Sequence, residues 1–397
     1  MQNTKQLSSF TLLLMISFAS VNAVLFTPAL PEIANFFKIS ESAAQLTIMW
    51  FLVGYAIGQL FYGPIANRFG RKPALYTGIT LQILSSLLCV LAGKLHLFSL
   101  LILGRFLMAL GSGVGLKMTF TLVNETYEPK IAAQKLSYLM IAFAITPGLG
   151  VMLGGILISY YDWTSTFYAG AIYGIIFLLL TTRLLETKSE LDSNALQFKH
   201  LISAYVVQFK NRQLISGGLL MGSTTCFVYI FAALAPFIAI DMMHMSSSQY
   251  GAANLLPPVG LILGSLFSAH LTKIFSIKKI INLGIFIASL GSFTMLIFTY
   301  LDLNVVVMIF IPMMINYFGV ALIAANTSVI AMSQVEDKAH GSAVMSFTNM
   351  GSVTLVVLLL GLLPINLMLM PASYILICLA MFLLFDRIIN RKKSEAY

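Results

Sequence analysis

The chain has 397 residues, of which 59% are hydrophobic and only 9% are charged, and its formal net charge is +9. A soluble domain carries roughly 25% charged residues, so this composition excludes a soluble enzyme and indicates that lipid is the solvent. The basic residues lie in short gaps between apolar runs instead of on one polar face, which argues against nucleic acid as a partner. The lipid bilayer is therefore the first predicted partner.

Twelve apolar runs follow one another along the chain, each near the roughly 20 residues that a spanning helix needs. They lie near 9–29, 44–62, 74–93, 98–122, 136–158, 164–184, 213–238, 250–271, 280–300, 305–329, 342–364 and 371–389. The sequence predicts an all-α membrane protein with 12 transmembrane helices in two six-helix pseudo-symmetric halves. The predicted halves are 1–190 and 213–397, and the charged stretch 191–212 is the predicted cytoplasmic linker.

The distribution of lysine and arginine sets the expected orientation, because cytoplasmic loops carry the excess of these residues. With the N-terminus inside, 19 of the 23 basic residues are cytoplasmic, all but Lys38, Lys94, Arg105 and Lys117. This predicts a multi-pass protein of the bacterial inner membrane with both termini in the cytoplasm. An alternative is that Lys5, the first apolar run and residues 21–23 form a cleavable signal peptide, which would leave eleven spans.

Residues 58–73, after the second predicted span, read GQLFYGPIANRFGRKP. This stretch resembles the signature of the connection between helices 2 and 3 in the major facilitator superfamily. Its signature positions form a predicted cytoplasmic gating motif, in which glycine permits a tight turn between two helices. These positions are Gly63, Asn67, Arg68, Gly70 and Arg71. The plainer interpretation is an ordinary basic loop on the cytoplasmic side.

Other stretches resemble the Bcr/CflA-like efflux branch of that superfamily. They are TPALPEIA at 27–34, GRFLMALG at 104–111, and Trp163 with Phe167. In the fifth predicted span, Pro147, Gly150, Gly154 and Gly155 resemble a motif of exporters that work by antiport, although glycines also serve plain helix packing. The resemblance implies alternating access and broad drug–proton antiport.

The sequence departs from the family pattern mainly at charged positions. Asn67 replaces an aspartate, Thr164 replaces an arginine, and Val24 stands where drug exporters of this branch carry an aspartate in helix 1. Val151 replaces a motif proline, and Asn124 with Glu125 replaces an Arg-Asp pair. No acidic residue or histidine falls in the middle of a predicted span. Glu125 is the nearest candidate for a proton site, with a solvated acid at a helix end as the alternative.

Arg105 and Lys117 are the two basic residues that lie away from the ends of a predicted span. An intramembrane charge is a functional candidate by default. The alternatives are structural pairing of Arg105, with carbonyls or with Asn22 and Gln59, and snorkelling of Lys117 to the inner interface. A cavity with two cations and no carboxylate favours an anion, so the leading hypothesis is export of an anionic metabolite such as a carboxylate siderophore. The inside-negative membrane potential favours such export.

The resemblance implies that helices 1, 4, 7 and 10 line the transport cavity, and neighbouring helices add further polar candidates. An isolated polar residue in a span also serves as a helix–helix hydrogen bond. The candidate substrate-binding residues are Arg105, Lys117, Asn22, Tyr55, Gln59, Ser112, Tyr138, Thr225, Tyr229, Asn316, Tyr317 and Asn349.

The sequence predicts no cofactor and no catalytic activity. It contains no phosphate-binding Gly-x-x-x-x-Gly-Lys motif for ATP and no Cys/His spacing for zinc. The predicted protein is a monomeric secondary efflux transporter. The alternatives are a broad multidrug/proton antiporter and, from another class, a receptor or scaffold with a transporter-like fold that moves nothing.

Overall fold

The computed structural model describes residues 8–127, 129–184, 186–187, 191, 195, 205–333, 335 and 338–394. Within these ranges, eleven helices are long and apolar enough to cross a bilayer, and the shorter apolar stretch Ile145–Tyr160 ends a further helix. The predicted all-α class is confirmed, and each predicted span corresponds to a helix.

The first six membrane helices are continuous except α1 and α4. Helix α1 runs as Ser9–Val24, a 3₁₀ turn Thr27–Ala29 and Leu30–Phe37, and α4 runs as Phe98–Ser112 and Val114–Thr126. The others are α2 (Glu41–Phe69), α3 (Arg71–Lys94), α5 (Pro129–Tyr160) and α6 (Thr164–Thr182).

The second six membrane helices follow a short helical segment at 205–210. Helix α7 (Arg212–Pro236) continues as a π-helical turn, Phe237–Met242, and α8 is divided into Ser247–Ala253 and Leu256–Leu271. Helix α10 begins with a π-helical turn, Val306–Phe310, before Ile311–Met332. The others are α9 (Ile277–Tyr300), α11 (Lys338–Gly361) and α12 (Leu369–Ser394).

Two sequence predictions about helix ends were wrong. The first span extends past residue 29 to Phe37, because the 3₁₀ turn changes the winding of α1 without ending it. The expected connection at 63–72 is a single residue, Gly70, since α2 continues through Gly63 and Pro64 to Phe69. Gly70 has φ +105°, a conformation that glycine adopts without a Cβ clash, so one residue suffices for the turn.

The helix pairings of the first six helices recur in the second six. Helix α1 packs on α5, α2 on α4, and α3 on α4 and α6; likewise α7 packs on α11, α8 on α10, and α9 on α10 and α12. The two sets meet through α2 with α11 and α5 with α8. This is the pairing expected of two repeats. The boundaries 1–190, 191–212 and 213–397 stay predictions, since much of 185–204 lies outside the described residues.

Contacts between the two sets include several at the predicted outer end. The Ser42 hydroxyl donates to the Leu363 carbonyl at 3.4 Å, and Gly361 faces the amide oxygen of Gln45. Gly155 of α5 lies against the backbone of Ser247 at the start of α8. The largest apolar cluster contains residues of both sets, so the core extends across their interface.

Candidate functional site

Arg105 is a buried cation held by main-chain carbonyls of two other helices. Its Nη1 and Nη2 donate to the carbonyls of Asn22 and Ala23 at 2.7 and 3.3 Å, and its Nε donates to Thr47 at 3.3 Å. The guanidinium lies 3.8 Å from the ring centre of Phe26 and 4.3 Å from that of Phe51. Only 1% of the residue is exposed.

The break in α1 explains how this cation is stabilised with no carboxylate of the described part of the chain paired with it. The first segment of α1 ends at Val24, and Pro28 has no amide hydrogen to offer the Val24 carbonyl, which accepts the Thr27 hydroxyl instead. The carbonyls of Asn22 and Ala23 therefore lie at a helix C-terminus, where the helix dipole is negative. Two aromatic faces add cation–π attraction.

Little space remains beside Arg105 for a ligand. The cavity between α1, α4 and α6 at this point has a volume of about 10 Å³, which is no more than one water molecule requires. The structural alternative for Arg105 thus fits the geometry, with the main chain of Asn22 as a partner. Gln59, the other suggested partner, contacts Lys117 instead.

The Asn22 side chain points into the first six helices. Its Oδ1 accepts from Gln82 Nε2 at 2.7 Å, and its Nδ2 donates to the Phe18 carbonyl. Gln82 also donates to Ser86 and to the Gly170 carbonyl. This buried network joins α1, α3 and α6.

Lys117 lies one turn after the break in α4. Its Nζ donates to the carbonyl of Gln59 at 3.2 Å, and a Cβ placed on Gly63 would lie 2.8 Å from that Nζ. The absence of a side chain at Gly63 thus makes room for the ammonium group on the surface of α2. In the described residues the sole ion pair is Arg71–Glu125, so no described carboxylate pairs with Lys117.

Three predicted tyrosines come together where the two sets of helices meet. Tyr229 of α7 lies within electrostatic range of both Arg105 and Tyr55, and Tyr317 of α10 lies within range of Tyr229. Tyr55 is on α2, so this group draws on both sets of six helices.

The remaining candidates are dispersed. The Ser112 and Thr225 hydroxyls donate to carbonyls of their own helices, and the Asn316 Oδ1 accepts from Ser292 of α9. Asn349 is buried in α11, whereas Tyr138 of α5 is 75% exposed. Their binding roles stay predictions.

A polar cluster at the predicted cytoplasmic end centres on Arg71. Arg71 Nη2 lies 2.6 Å from Glu125, and Nη1 donates to Asn67 Oδ1 at 3.0 Å. The Thr187 hydroxyl donates to the second oxygen of Glu125 at 2.5 Å. Asn67 therefore contacts Arg71 of the same motif. Glu125 is thus an ion-paired acid at a helix end.

Glu186 was missed at the sequence level, although it follows directly on the sixth span. Its two carboxylate oxygens accept from the backbone amides of Arg71 and Lys72 at 2.8 and 2.9 Å. A carboxylate at this point satisfies free amides and complements the positive end of α3. A Cβ on Gly70 would lie 2.7 Å from Glu186, so glycine also leaves room for this cap.

The glycines of α5 allow close helix packing. A Cβ on Gly154 would lie 1.9 Å from the Leu25 carbonyl oxygen, at the break in α1, and one on Gly150 would lie 3.1 Å from Val24. Gly155 faces Ser247 of α8 instead. This part of α5 therefore contacts both sets of helices, beside Pro147.

A cavity of about 30 Å³ lies between the two sets. Residues of α1, α5, α7, α8 and α10 line it, and they include Val24, Pro147, Phe231, Tyr250, Asn254 and Tyr317. None of its lining side chains carries a formal charge. Of these lining residues, Tyr317 alone was a candidate substrate-binding residue, since an apolar lining has no distinctive sequence signal.

Paired six-helix sets with broken helices at their interface are the architecture of membrane transporters. The model described as "Major Facilitator Superfamily" matches residues 12–358, and the chain belongs to this superfamily. It is therefore a multi-pass membrane transporter of a bacterial family, and no catalytic activity is indicated.

Two curated relatives and one solved structure are similar to this chain. An "Uncharacterized transporter" of Rickettsia felis is 28% identical over 329 residues, 79% of each chain. The "Multidrug resistance protein MdtL" of Shigella flexneri is 28% identical over 308 residues, 77% of this chain and 74% of that protein. The crystal structure of a D-xylose-proton symporter has TM-score 0.75 and 15% identity, covering 94% of this chain and 96% of that one, which indicates the same fold.

Proposed function

We propose that this protein is a secondary active exporter of small, largely apolar molecules that works by alternating access. The observation that carries the proposal is the uncharged lining of the cavity between the two sets of helices. Apolar pockets with a few polar groups bind ligands that bury apolar surface. The similarity to a protein named for multidrug resistance agrees with it.

The hypothesis of an anionic substrate was based on two cations, Arg105 and Lys117, and the contacts of Arg105 argue against its part in binding. Arg105 already serves three carbonyls and two aromatic rings, and the space beside it is too small for a carboxylate. Its positive charge is offset by the C-terminus of the first segment of α1. A substrate anion at Arg105 would have to displace these contacts.

Export of an anionic metabolite such as a carboxylate siderophore is the second candidate, and Lys117 favours it. The Lys117 ammonium contacts a single carbonyl and no described carboxylate. An incompletely compensated cation in a membrane attracts an anion. On this candidate Lys117→Gln abolishes export, whereas Lys117→Arg retains it in part.

We further propose that both termini are cytoplasmic, that the protein lies in the inner membrane and that it acts as a monomer. The charge distribution supports the orientation, since 19 of 23 basic residues then face the cytoplasm. Coupling through Glu125 is disfavoured because Arg71 and Thr187 occupy its carboxylate.

A deletion strain separates the two candidates. New sensitivity to apolar drugs with an unchanged spent medium supports the first, whereas loss of an extracellular polyanion from the medium supports the second. If the complemented and deleted strains do not differ in either measurement, export fails as a function and the transporter-like receptor is favoured.

A further inference from the structure

Two interrupted helices, one from each set, meet at the cavity described above. Helix α1 changes its winding at Thr27–Ala29, and α8 is interrupted at Asn254 and Leu255 before Pro257 and Pro258. Between them, a Cβ on Gly148 of α5 would lie 2.9 Å from the Asn254 carbonyl oxygen and 2.9 Å from Pro258. In transporters, interrupted helices at the repeat interface commonly form substrate and ion sites.

Tyr250 is a lining residue of this cavity and has an unsatisfied buried hydroxyl. Tyr250 lines the cavity, is 0% exposed, and its hydroxyl has no hydrogen-bond partner among the described residues. The Asn254 side chain lies one turn further along and beside this hydroxyl. Its amide nitrogen donates to the Tyr250 main-chain carbonyl at 2.8 Å instead. An unpaired buried hydroxyl destabilises a protein, because it has lost its hydrogen bond to water without gaining another. A ligand that accepts its hydrogen bond removes that destabilisation.

The size and charge of the cavity limit which chemical group of a ligand can enter it. About 30 Å³ accommodates one or two water-sized groups. No charged side chain lines the space, so a carboxylate or an ammonium group would enter unpaired and lose its hydration. A neutral oxygen or nitrogen acceptor attached to an apolar body meets both limits.

We propose that this cavity is a substrate subsite in which the Tyr250 hydroxyl donates to a neutral acceptor group, such as a carbonyl, of an apolar substrate. The inference rests on the proposed export function and narrows its substrate class. The two sets of helices both contribute to the subsite, so their movement opens it to one side of the membrane and then to the other. Tyr250 is a specificity-determining residue in this scheme.

The test compares two fluorescent probes in proteoliposomes with an imposed proton gradient. Nile red is a neutral aromatic molecule with a carbonyl acceptor, and fluorescein is an anion. We expect wild-type protein to transport Nile red and Tyr250→Phe to lower its kcat/KM roughly 5- to 20-fold, as expected for one buried hydrogen bond. The matched control is Tyr374→Phe, because the Tyr374 hydroxyl is also buried but donates to the Phe227 carbonyl at 3.0 Å.

The outcomes separate this inference from the proposed function. Equal Nile red transport by Tyr250→Phe and wild type overturns the subsite, as does an equal loss in Tyr374→Phe. Transport of fluorescein without Nile red retains export but overturns the neutral subsite. Transport of neither probe by folded wild-type protein overturns both proposals. Melting temperatures of all variants show that each protein is folded.

Discussion

At the scale of single residues, the two membrane-embedded cations differ in what surrounds them. Arg105 is 1% exposed, with three carbonyl acceptors and two aromatic faces, whereas Lys117 has one carbonyl acceptor. A planar fork of donors satisfies several carbonyls at once, and a lysine ammonium in the same place does not reproduce that geometry. Arg105 thus has the contacts of a residue that stabilises the fold, whereas Lys117 has fewer hydrogen-bond partners.

This difference predicts that removing the charge destabilises the protein far more at Arg105 than at Lys117. Arg105→Gln should lower the free energy of unfolding by about 2–5 kcal/mol, because it leaves buried carbonyls without donors. Lys117→Gln should change it by less than about 1 kcal/mol. Melting temperatures in detergent measure both. A stable Arg105→Gln protein that has lost only transport would contradict the structural role.

Gly63 and Lys117 form a pair that a double-mutant cycle can isolate. Gly63→Ala should displace the Lys117 ammonium and lower stability slightly, because its Cβ would lie 2.8 Å from the Lys117 Nζ. The same substitution should be nearly silent in a Lys117→Ala background, where the ammonium is gone. Stability and membrane abundance provide the readout. Additive effects of the two substitutions would show that the pair does not interact.

Gly70 and Glu186 together determine the turn between α2 and α3. Gly70→Ala should destabilise the protein by about 1–3 kcal/mol, since φ is +105° and the new Cβ meets Glu186. Glu186→Gln should weaken the cap on the amides of Arg71 and Lys72 and expose the adjacent linker. Trypsin cleavage in membranes of defined sidedness measures that exposure. Unchanged cleavage of both variants would contradict the role of Gly70 and Glu186 in this turn.

At the scale of elements, helix packing depends on glycine where α5 crosses the break in α1. Gly154 allows an approach in which a Cβ would lie 1.9 Å from the Leu25 carbonyl oxygen. Helices in lipid gain little from the hydrophobic effect when they associate, so they depend on close van der Waals packing. Small residues such as glycine allow that close approach. The position of α5 beside the cavity follows from this contact.

Gly154→Ala should therefore separate α5 from α1 and cost about 1–3 kcal/mol. Gly351→Ala in α11 is the matched control, because nothing lies within 4 Å of its Cβ position. We expect a lower melting temperature for Gly154→Ala, and an unchanged or slightly higher melting temperature for Gly351→Ala. Equal melting temperatures would mean that α1 and α5 adjust without strain.

At the scale of the whole molecule, α2 with α11 and α5 with α8 join the two sets. Both contacts are present at the predicted outer end, through Ser42 with Leu363 and Gly155 with Ser247. Alternating access requires these contacts to separate when the cavity opens on that side. They are the part of the interface where a covalent link would stop the cycle.

A Ser42→Cys/Leu363→Cys pair tests this directly. Oxidation should form a disulfide across the closed end and abolish transport, and reduction should restore it. Each single variant serves as the control. Full transport by the cross-linked protein would contradict opening at this end. The three native cysteines are buried and free, so they should be replaced before the experiment only if they react.

The sequence by itself determined that the protein lies in a lipid bilayer, that it is all-α and how many spans it has. Each spanning helix must satisfy the hydrogen bonds of its own backbone and therefore appears as a long apolar run. Motifs at 58–73, 104–111 and 147–155 indicated the family that the comparison then showed. The importance of Arg105 was also visible, since a charged residue stands out in an apolar run.

Only the tertiary structure decided what each candidate contacts. The negative end of a helix offsets the charge of Arg105, and no residue type in the sequence indicates such a partner. The carboxylate that caps α3 belongs to Glu186, which is 115 positions away from Arg71. The cavity beside Tyr250 is built from five helices. Apolar composition is the same in a lining, a core and a lipid face, so only the packing of the helices distinguishes them.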